Sequence, residues 1–306
     1  MQDQIRADWI AIDWGTSRLR AWAMAPDNRT LAAAASDAGM GGLARSGYEP
    51  ALLALVGGWL DPGRRTPVIA CGMVGSRQGW VEAPYQTAPC RPLDAAHMAS
   101  APVLDARLAV RVIPGIRQPS PADVMRGEET QMAGYLAQDP GFDGVLCLPG
   151  THTKWARISA GEVVSFQTFM TGEMFALLSD HSVLRHSLTA PGWDDAAFDA
   201  ALADSLSRPD RMAARLFSLR AESLLTGLGP QAARARLSGT LIGAELAAAR
   251  PYWLGQDLVV IGAAGIAGTY ARALAAQGAA ARLADGDEMT LAGLTAARAR
   301  IAEQVA

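Results

Sequence analysis

The sequence is poor in cysteine, histidine and lysine, and each scarcity removes a class of protein. Three cysteines in 306 residues, none in a Cys-x-x-Cys pair, argue against a zinc site or a disulfide framework and predict reduced thiols. The four histidines form no HExxH motif. Arginine carries almost all of the positive charge, and the net charge of −3 argues against nucleic acid or an anionic membrane as a partner.

Long apolar runs are missing as well. No stretch approaches the roughly 20 apolar residues that span a bilayer, and the start MQDQIRADWIAID lacks the basic region and apolar run of a signal peptide. We therefore expect a cytoplasmic protein. Half of the residues are apolar and 19% are charged, which is typical of a globular protein whose length favours two domains.

A strand-turn-strand pattern occurs twice, near residue 13 and near residue 150, and indicates two related α/β halves. Between about Asp194 and Arg250 the chain is rich in alanine, leucine and arginine with helical spacing, which predicts a helical insert. In SPADVMRGEETQMAGYLAQDP, Ser120 and Pro121 predict the start of a helix.

Apolar strands run into glycine-rich loops at four places: residues 13–18, 72–79, 149–154 and 262–268. Glycine lets a backbone approach phosphate oxygens, and exposed N–H groups there bind anions. In the first loop, IAIDWGTSRLRAW, Asp13 ends a buried strand and either faces a cation or caps its own turn. No GxxxxGK[ST], HRD or DFG motif is present, so P-loop proteins and protein kinases are excluded.

The stretch VVIGAAGIAG also matches a loose dinucleotide fingerprint, with Asp285 placed 17 residues after Gly268. Only 21 residues follow Asp285, too few for the further strands of a Rossmann domain. A strand-turn-helix of another nucleotide-binding fold explains the same residues more economically, and an NAD-dependent dehydrogenase is the less favoured alternative.

The motifs resemble those of a known superfamily. IDWGTSRLRAW, LPGTHTKW and VVIGAAGIAG resemble, in order, the two phosphate loops and the adenosine motif of the sugar-kinase/Hsp70/actin superfamily. ACGMVGSRQGWVEAPY, RGEETQ and TFMTGEMFALLSDHSVLRHSL further resemble the 2-dehydro-3-deoxygalactonokinase family over nearly the whole chain. This resemblance implies ATP-dependent phosphorylation of 2-dehydro-3-deoxy-D-galactonate at its 6-hydroxyl, in galactonate catabolism.

The resemblance implies a two-lobed actin-like ATPase (ribonuclease H-like) fold with mixed sheets and a helical insert in the C-terminal lobe. We predict an N-terminal lobe for the sugar acid and phosphate over residues 1–135 and a C-terminal nucleotide lobe over residues 136–306, whose final helix can return to the first lobe. The site is expected in the cleft between the lobes. Expected partners are the sugar-acid substrate and ATP with Mg²⁺, and the sequence leaves a homodimer open.

Phosphoryl transfer needs positioning, Mg²⁺ and a carboxylate that receives the proton of the attacking hydroxyl. Asp13 suits an indirect contact with Mg²⁺ through water. The base is expected at a helix start before the second phosphate loop, where related sugar kinases carry an Asn-Asp pair; Glu128 aligns with the aspartate, and Glu129 is the alternative. A carboxylate there also stabilises the helix.

Two groups of binding residues are expected. For the sugar acid, a guanidinium can bind the carboxylate bidentately; Arg77 is the first choice and Arg18 the second. Of Arg18 and Arg20 only one is expected to face the cleft, and Arg20 is favoured because the later arginine lies near the substrate in the similar GTTSxR pattern of other sugar kinases. Glu173 either accepts a substrate hydroxyl or caps a helix. The substrate-binding set is Arg77, Arg18, Arg20, Gly75, Ser76, Trp80 and Glu173. The nucleotide-binding set is Gly15, Thr16, Ser17, Gly150, Thr151, Thr153, Lys154, Gly262 and Gly265.

Other classes stay open at this point. A kinase of the same fold could act on another sugar or sugar acid. A chaperone-like or actin-like nucleotide switch would need a peptide-binding domain or a filament surface, and 306 residues leave no room for the former.

Overall fold

The computed structural model of the chain describes residues 5–305. It divides into two compact units, the first over Met1–Phe142, Ile158–Ser165 and Gly286–Ala306 and the second over Asp143–Arg157 and Phe166–Asp285. The first unit therefore runs somewhat beyond the predicted boundary at residue 135 and includes the last helix. No helix among the described residues is long and apolar enough to cross a membrane.

The described chain alternates strands and helices. The strands are β1 (Trp9–Trp14), β2 (Leu19–Met24), β3 (Thr30–Ser36), β4 (Thr66–Cys71), β5 (Tyr85–Thr87), β6 (Ala99–Ser100), β7 (Leu108–Val112), β8 (Gly115–Pro119), β9 (Ala122–Met125), β10 (Gly144–Leu148), β11 (Thr153–Ser159), β12 (Glu162–Phe169), β13 (Leu258–Gly262) and β14 (Ala281–Asp285). The α-helices are α1 (Tyr48–Val56), α2 (Glu128–Gln138), α3 (Thr171–His181), α4 (Asp195–Ser207), α5 (Met212–Leu225), α6 (Pro230–Ala248), α7 (Arg250–Trp253), α8 (Ala264–Ala275) and α9 (Gly286–Val305).

The main sheet of the first unit has the order β3-β2-β1-β4-β7-β6, with β1 antiparallel to β2 and parallel to β4. Its central strand β1 is apolar on both faces because both are covered. Ile10 and Ile12 pack into a core that includes α1, and Trp9 and Ala11 pack into a second core that includes residues of α2 and α9. Since strand residues alternate, Asp13 continues the row of Trp9 and Ala11.

The main sheet of the second unit has the order β12-β11-β10-β13-β14, and β13 is parallel to both β10 and β14. When the two-residue edge strand β6 is left out, the other sheet follows the same order along the chain, third-second-first-fourth-fifth, which supports the predicted relation between the two halves. The predicted helical insert is confirmed as α4, α5 and α6. Because β14 lies at the sheet edge in the described chain, no Rossmann sheet continues beyond it.

The helix expected to start at Ser120 and Pro121 starts only at Glu128, so that part of the prediction is wrong. The two residues lie instead in the turn of the antiparallel β8–β9 hairpin. The side-chain amide of Gln118 donates a hydrogen bond to the Pro121 carbonyl at 2.9 Å across this turn. A Ser-Pro pair begins turns as readily as helices, and only the pairing of β8 with β9 decides between them.

Helices α2 and α9 cross at two glycines. A Cβ atom added to Gly134 would lie 2.0 Å from the Met289 carbonyl oxygen, and one added to Gly293 would lie 1.9 Å from the Thr130 carbonyl oxygen. A side chain at either position would therefore push the helices apart. The crossing holds together the helix that begins with Glu128 and the helix that carries Asp287.

We expect Gly134→Ala to lower the free energy of unfolding by about 1–3 kcal/mol, the usual cost of overpacking, although alanine favours helices. Urea denaturation followed by circular dichroism measures this. Gly141→Ala is the matched control, since a Cβ atom there meets nothing within 4 Å, and its effect should stay within about 0.5 kcal/mol. Equal stability of the two variants would contradict the tight crossing.

Candidate active site

In the first unit, Asp13 is held by an arginine from the neighbouring strand. Arg20 is its register partner across the β1–β2 hairpin, and its Nε and Nη2 atoms donate to the Asp13 carboxylate at 3.2 and 2.5 Å. The same guanidinium donates to Asp287 at the start of α9. Arg20 therefore bridges two carboxylates, Asp13 and Asp287.

Around Asp13, the backbones of neighbouring segments lie close together. The β4 residue in register with it is Cys71, whose Sγ lies 3.8 Å from Asp13 Oδ1, and burial raises the pKa of this thiol. Gly72 follows with φ +91°, a conformation that favours glycine, and a Cβ on it would lie 2.8 Å from the Trp14 carbonyl oxygen. A Cβ on Gly127, which precedes α2, would lie 3.5 Å from Gly72 Cα. The start of α2 thus lies against the loop that follows β4.

The two candidate bases differ sharply in exposure. Glu129 is fully buried, and both of its carboxylate oxygens accept from the Gly127 N–H, at 2.9 and 2.8 Å. Glu128 is only partly buried, and its Oε2 accepts from the Arg126 N–H at 3.1 Å. Glu129 is enclosed within the fold, whereas a ligand can approach Glu128.

Burial, together with the charge of Glu128, raises the pKa of Glu129 to about 8, and the hydrogen bond from Gly127 offsets only part of this. Between the ordinary carboxyl pKa near 4.5 and pH 8, the folded chain binds a proton that the unfolded chain has lost. Folding stability at this residue therefore falls as pH rises, by up to about 1.4 kcal/mol per pH unit.

We expect Glu129→Gln, which carries no charge, to gain stability relative to the parent protein as pH rises from 5 to 8. Urea denaturation at pH 5, 6, 7 and 8 measures the difference between the two proteins at each pH. Glu82→Gln, at an exposed position beside Arg77, is the control and should give a curve parallel to that of the parent. Parallel curves for Glu129→Gln as well would contradict a buried carboxyl that stays protonated.

The predicted substrate loop after β4 is only partly exposed. Arg77 is largely exposed and its guanidinium lies 3.5 Å from the Glu82 carboxylate. Trp80 belongs to the core, where its ring stacks on Tyr48 with centroids 6.0 Å apart, so its indole is engaged in packing. Ser76 is buried, and its hydroxyl has no hydrogen-bond partner among the described residues.

Sequence reasoning missed Arg126, whose buried side chain packs against this loop. Its guanidinium is buried over the Tyr85 ring, 4.4 Å from the centroid, and donates to the Ala83 carbonyl at 2.8 Å. Its Nε and Nη1 atoms have no acceptor within residues 5–305. A Cβ on Gly75 would lie 2.9 Å from Arg126 Nη1, so the predicted Gly75 is required where the loop crosses the guanidinium.

The predicted first phosphate loop, residues 13–18, is a tight hairpin turn. Gly15 N–H donates to the Arg18 carbonyl at 2.9 Å, which leaves Thr16 and Ser17 exposed at the tip. Gly39 packs directly on this tip, since a Cβ there would lie 2.3 Å from the Thr16 carbonyl oxygen. Arg18 is exposed and lies 3.7 Å from Asp37. The two hydroxyls predicted to bind phosphate are therefore accessible.

The predicted second phosphate loop, in the second unit, joins β10 to β11. Gly150 and Thr151 are exposed, whereas Thr153 is buried and its hydroxyl lies 3.0 Å from the Tyr270 hydroxyl. Lys154 is also buried, and its Nζ donates to the His152 carbonyl at 3.4 Å. The loop thus presents Gly150 and Thr151, while Thr153 and Lys154 stabilise it from within.

A buried carboxylate fixes the surroundings of this loop. Glu245 of α6 accepts hydrogen bonds from Trp155 Nε1 at 2.8 Å and the Tyr270 hydroxyl at 2.7 Å, and also from the Thr171 hydroxyl. Burial raises its pKa, and the donors lower it in part. Strand β11 and helices α3, α6 and α8 are therefore held around one polar centre.

A cavity of about 310 Å³ opens in the second unit beside this centre. Its walls include glycines at predicted nucleotide positions, Gly150 and Gly265, and the aromatic rings of Phe175, Trp193 and Tyr270. Gly265 lies in the first turn of α8, and a Cβ on Gly262 would lie 3.5 Å from the Pro149 carbonyl oxygen. An apolar cavity with glycine at its edge fits a nucleoside.

Glu173, predicted to contact substrate or to cap a helix, lies in the first turn of α3 and pairs with His152. Its Oε2 is 2.6 Å from His152 Nε2, and both side chains are partly exposed. Its backbone N–H donates to the Thr151 carbonyl at 2.9 Å. Sequence reasoning gave His152 no role, since its partner lies 21 residues further on.

No group of three or more histidine, cysteine or acidic side chains that could hold a metal occurs within residues 5–305. Mg²⁺ in phosphoryl transfer needs one or two carboxylates together with substrate phosphates. Asp13, with its partly exposed carboxylate, fits that requirement.

Comparison with known proteins identifies the family. The model of the 2-keto-3-deoxy-galactonokinase family matches residues 13–297. The chain belongs to this family. It is 40% identical to a probable 2-dehydro-3-deoxygalactonokinase of Rhizobium meliloti, covering 94% of this chain and 96% of that protein, and 36% identical to the 2-dehydro-3-deoxygalactonokinase of Escherichia coli, with the same coverage.

Solved structures agree. The crystal structure of a putative 2-dehydro-3-deoxygalactonokinase from Sinorhizobium meliloti matches with a TM-score of 0.87 at 38% identity, over 96% of this chain and 99% of that one. The activator of the 2-hydroxyisocaproyl-CoA dehydratase from Clostridium difficile with bound ADPNP matches with a TM-score of 0.51 at 11% identity, over 97% and 96%. The predicted actin-like ATPase fold is confirmed.

Proposed function

We propose that the chain is an ATP-dependent kinase that transfers a phosphoryl group to the 6-hydroxyl of 2-dehydro-3-deoxy-D-galactonate, in the cytoplasm and as a step of galactonate catabolism. The observation that carries the proposal is the placement of Glu128, a partly exposed carboxylate at the start of α2 in the first unit. The start of α2 lies against the loop that follows β4, and β4 pairs with β1, the strand that contains Asp13. Membership of the kinase family supplies the substrate class.

The chemistry follows from these positions. The oxygen of the sugar acid's 6-hydroxyl attacks the terminal phosphorus of ATP, the bond to ADP breaks, and the hydroxyl proton passes to Glu128. Because the Glu128 carboxylate accepts a hydrogen bond from the Arg126 backbone N–H, its position is fixed before the substrate binds. Glu129 stabilises the start of α2 and takes no part in the transfer.

Recognition of the sugar acid requires a cation for its carboxylate. Arg77 is the proposed ligand, because its exposed guanidinium can exchange Glu82 for a substrate carboxylate and bind it bidentately. Arg18, exposed beside Asp37, is the second choice. Arg20 is already shared by Asp13 and Asp287, so we assign it the positioning of Asp13.

Recognition of ATP is assigned to exposed hydroxyls and glycines. Thr16, Ser17 and Thr151 would donate to phosphate oxygens, and the cavity at Gly150 and Gly265 would take the nucleoside. Mg²⁺ would be held by Asp13 through water together with the ATP phosphates, and when bound it neutralises charge on those phosphates. The buried Thr153 supports the loop and is not assigned to phosphate.

An ADP-release assay tests the function. The purified chain is mixed with Mg·ATP and a panel containing 2-dehydro-3-deoxy-D-galactonate, its gluconate-derived epimer, other sugar acids and neutral sugars. We expect ADP release that depends on the keto sugar acid, with phosphate on its 6-oxygen shown by ³¹P and ¹³C NMR. Release with only neutral sugars would indicate another kinase of the same fold, and release with no acceptor would indicate a nucleotide switch.

A further inference from the structure

The pair formed by His152 and Glu173 lies at the surface of the second phosphate loop. The ring Nε2 is 2.6 Å from the carboxylate, while 45% of the His152 side chain and 36% of the Glu173 side chain are exposed. Exposed pairs of this kind add little to stability, typically 0–1 kcal/mol. The interest of the pair lies in its place, because the His152 ring belongs to the exposed loop between β10 and β11.

Backbone contacts fix helix α3 against the loop between β10 and β11, independently of the contact between His152 and Glu173. A Cβ on Gly172 would lie 2.1 Å from the Gly150 carbonyl oxygen, so only glycine fits there. The Glu173 N–H donates to the Thr151 carbonyl at 2.9 Å, and the Thr171 hydroxyl is anchored to the buried Glu245. The backbone at Glu173 is thus set by contacts on both sides, and its carboxylate orients the His152 ring.

The other ring nitrogen of His152, Nδ1, is the one that a ligand can contact. With Nε2 facing Glu173, Nδ1 points away from that contact, and no further hydrogen bond of the His152 ring occurs within residues 5–305. Its neighbours Gly150 and Thr151 are exposed on the same loop. An Nδ1–H group in this position can donate to a phosphate oxygen while Nε2 faces the Glu173 carboxylate.

We infer that His152 contacts the terminal phosphoryl group of the bound nucleotide through Nδ1–H and that Glu173 is the positioning residue for this ring. The inference rests on the proposed function and adds to it a donor for the charge of the transferring group. Donors placed at developing charge contribute about 10²–10³-fold to kcat in other enzymes.

Two amide substitutions of His152 distinguish the roles of its two ring nitrogens. The amide of asparagine reaches about as far as Nδ1, and that of glutamine about as far as Nε2. We expect His152→Gln, which can still contact Glu173, to lose about 10²-fold in kcat, whereas His152→Asn should stay within about tenfold of the parent enzyme. Glu173→Gln should cause a smaller loss than His152→Gln.

Binding measurements keep the inference testable without turnover. Calorimetry with ADP and with a non-hydrolysable ATP analogue should show that His152→Gln loses at least about tenfold in affinity for the analogue, about 1.4 kcal/mol, and keeps its affinity for ADP. His97→Gln is the matched control, since His97, in the short helix Ala95–His97, forms an exposed pair with Asp94 at 2.7 Å. That variant should bind both nucleotides like the parent.

Three results would overturn the inference. Equal affinities of His152→Gln and the parent for the analogue would show that no phosphate contact exists. Loss in His152→Asn with retention in His152→Gln would show a structural link to Glu173 alone. A rise only in KM for the sugar acid would place the ring on that substrate. A parent enzyme that binds both nucleotides but phosphorylates no sugar acid would contradict the proposed function instead and leave the binding comparison valid.

Discussion

Glutamine in place of Glu128 should lower kcat by about 10²–10⁴-fold, the usual span for losing a general base, with little change in KM for either substrate. Glutamine keeps the shape of the side chain and can still accept from the Arg126 N–H. It cannot take up the proton of the 6-hydroxyl. Steady-state kinetics with the sugar acid and Mg·ATP, each varied at saturation of the other, separate kcat from both KM values.

Glu129→Gln is the matched variant because it makes the same chemical change one residue away. Glu129 is fully buried against the Gly127 N–H, so its loss should change stability and its dependence on pH while kcat stays within about tenfold of the parent value. The opposite pattern, with Glu128→Gln active and Glu129→Gln inactive, would move the base to Glu129. Denaturation of both variants shows whether either has lost its fold.

The parts of this site that sequence predicts best are those fixed by local periodicity. An apolar strand ending in Asp13, a tight turn and a second strand predict the hairpin. Its register makes Arg20, which was expected near the substrate, the partner of Asp13. Arg18 lies in the turn before β2, outside this pairing, and its guanidinium lies near Asp37 instead. A glycine-rich turn after a buried strand predicts the loop between β10 and β11 in the same way.

Sequence does not place residues in irregular segments or at strand ends, because no period relates one side chain to the next there. Arg77 and Trp80 are three residues apart, yet one is exposed and the other lies in the core. The position of Thr153 follows from Tyr270, far along the chain. Arg126 gives no local signal either, since its burial depends on the Tyr85 ring. Contacts between distant segments decide all of these positions.

The two adjacent glutamates at the start of α2 differ in their surroundings and therefore in what each can do. Glu128 and Glu129 are adjacent and chemically alike, but the first turn of α2 directs one to the interior and leaves the other accessible. Burial then keeps the enclosed carboxyl protonated up to a pKa of about 8, which makes it unsuited to accept a proton at neutral pH. Exposure therefore favours Glu128 where alignment alone left both residues open.

Asp13→Asn should weaken Mg·ATP binding and slow turnover together, each by about 10–100-fold, as expected for a group that holds a metal through water. Asparagine preserves the size of the side chain and caps turns as well as aspartate does. A turn-capping Asp13 would therefore tolerate the change, whereas a carboxylate that serves a cation would not. KM for Mg·ATP, kcat and the dependence of activity on free Mg²⁺ measure the effect.

A second variant separates the metal from the arginine. Asp287→Asn removes the other carboxylate of Arg20 and leaves Asp13 charged. If the loss in Asp13→Asn arose from an unbalanced Arg20, Asp287→Asn would reproduce much of it, and raising Mg²⁺ would restore neither variant. If Asp13 serves the metal, excess Mg²⁺ should recover part of the activity of Asp13→Asn, and Asp287→Asn should keep its KM for Mg·ATP. Near-normal turnover of Asp13→Asn at low Mg²⁺ would exclude the metal role, since the one property that asparagine lacks is the charge.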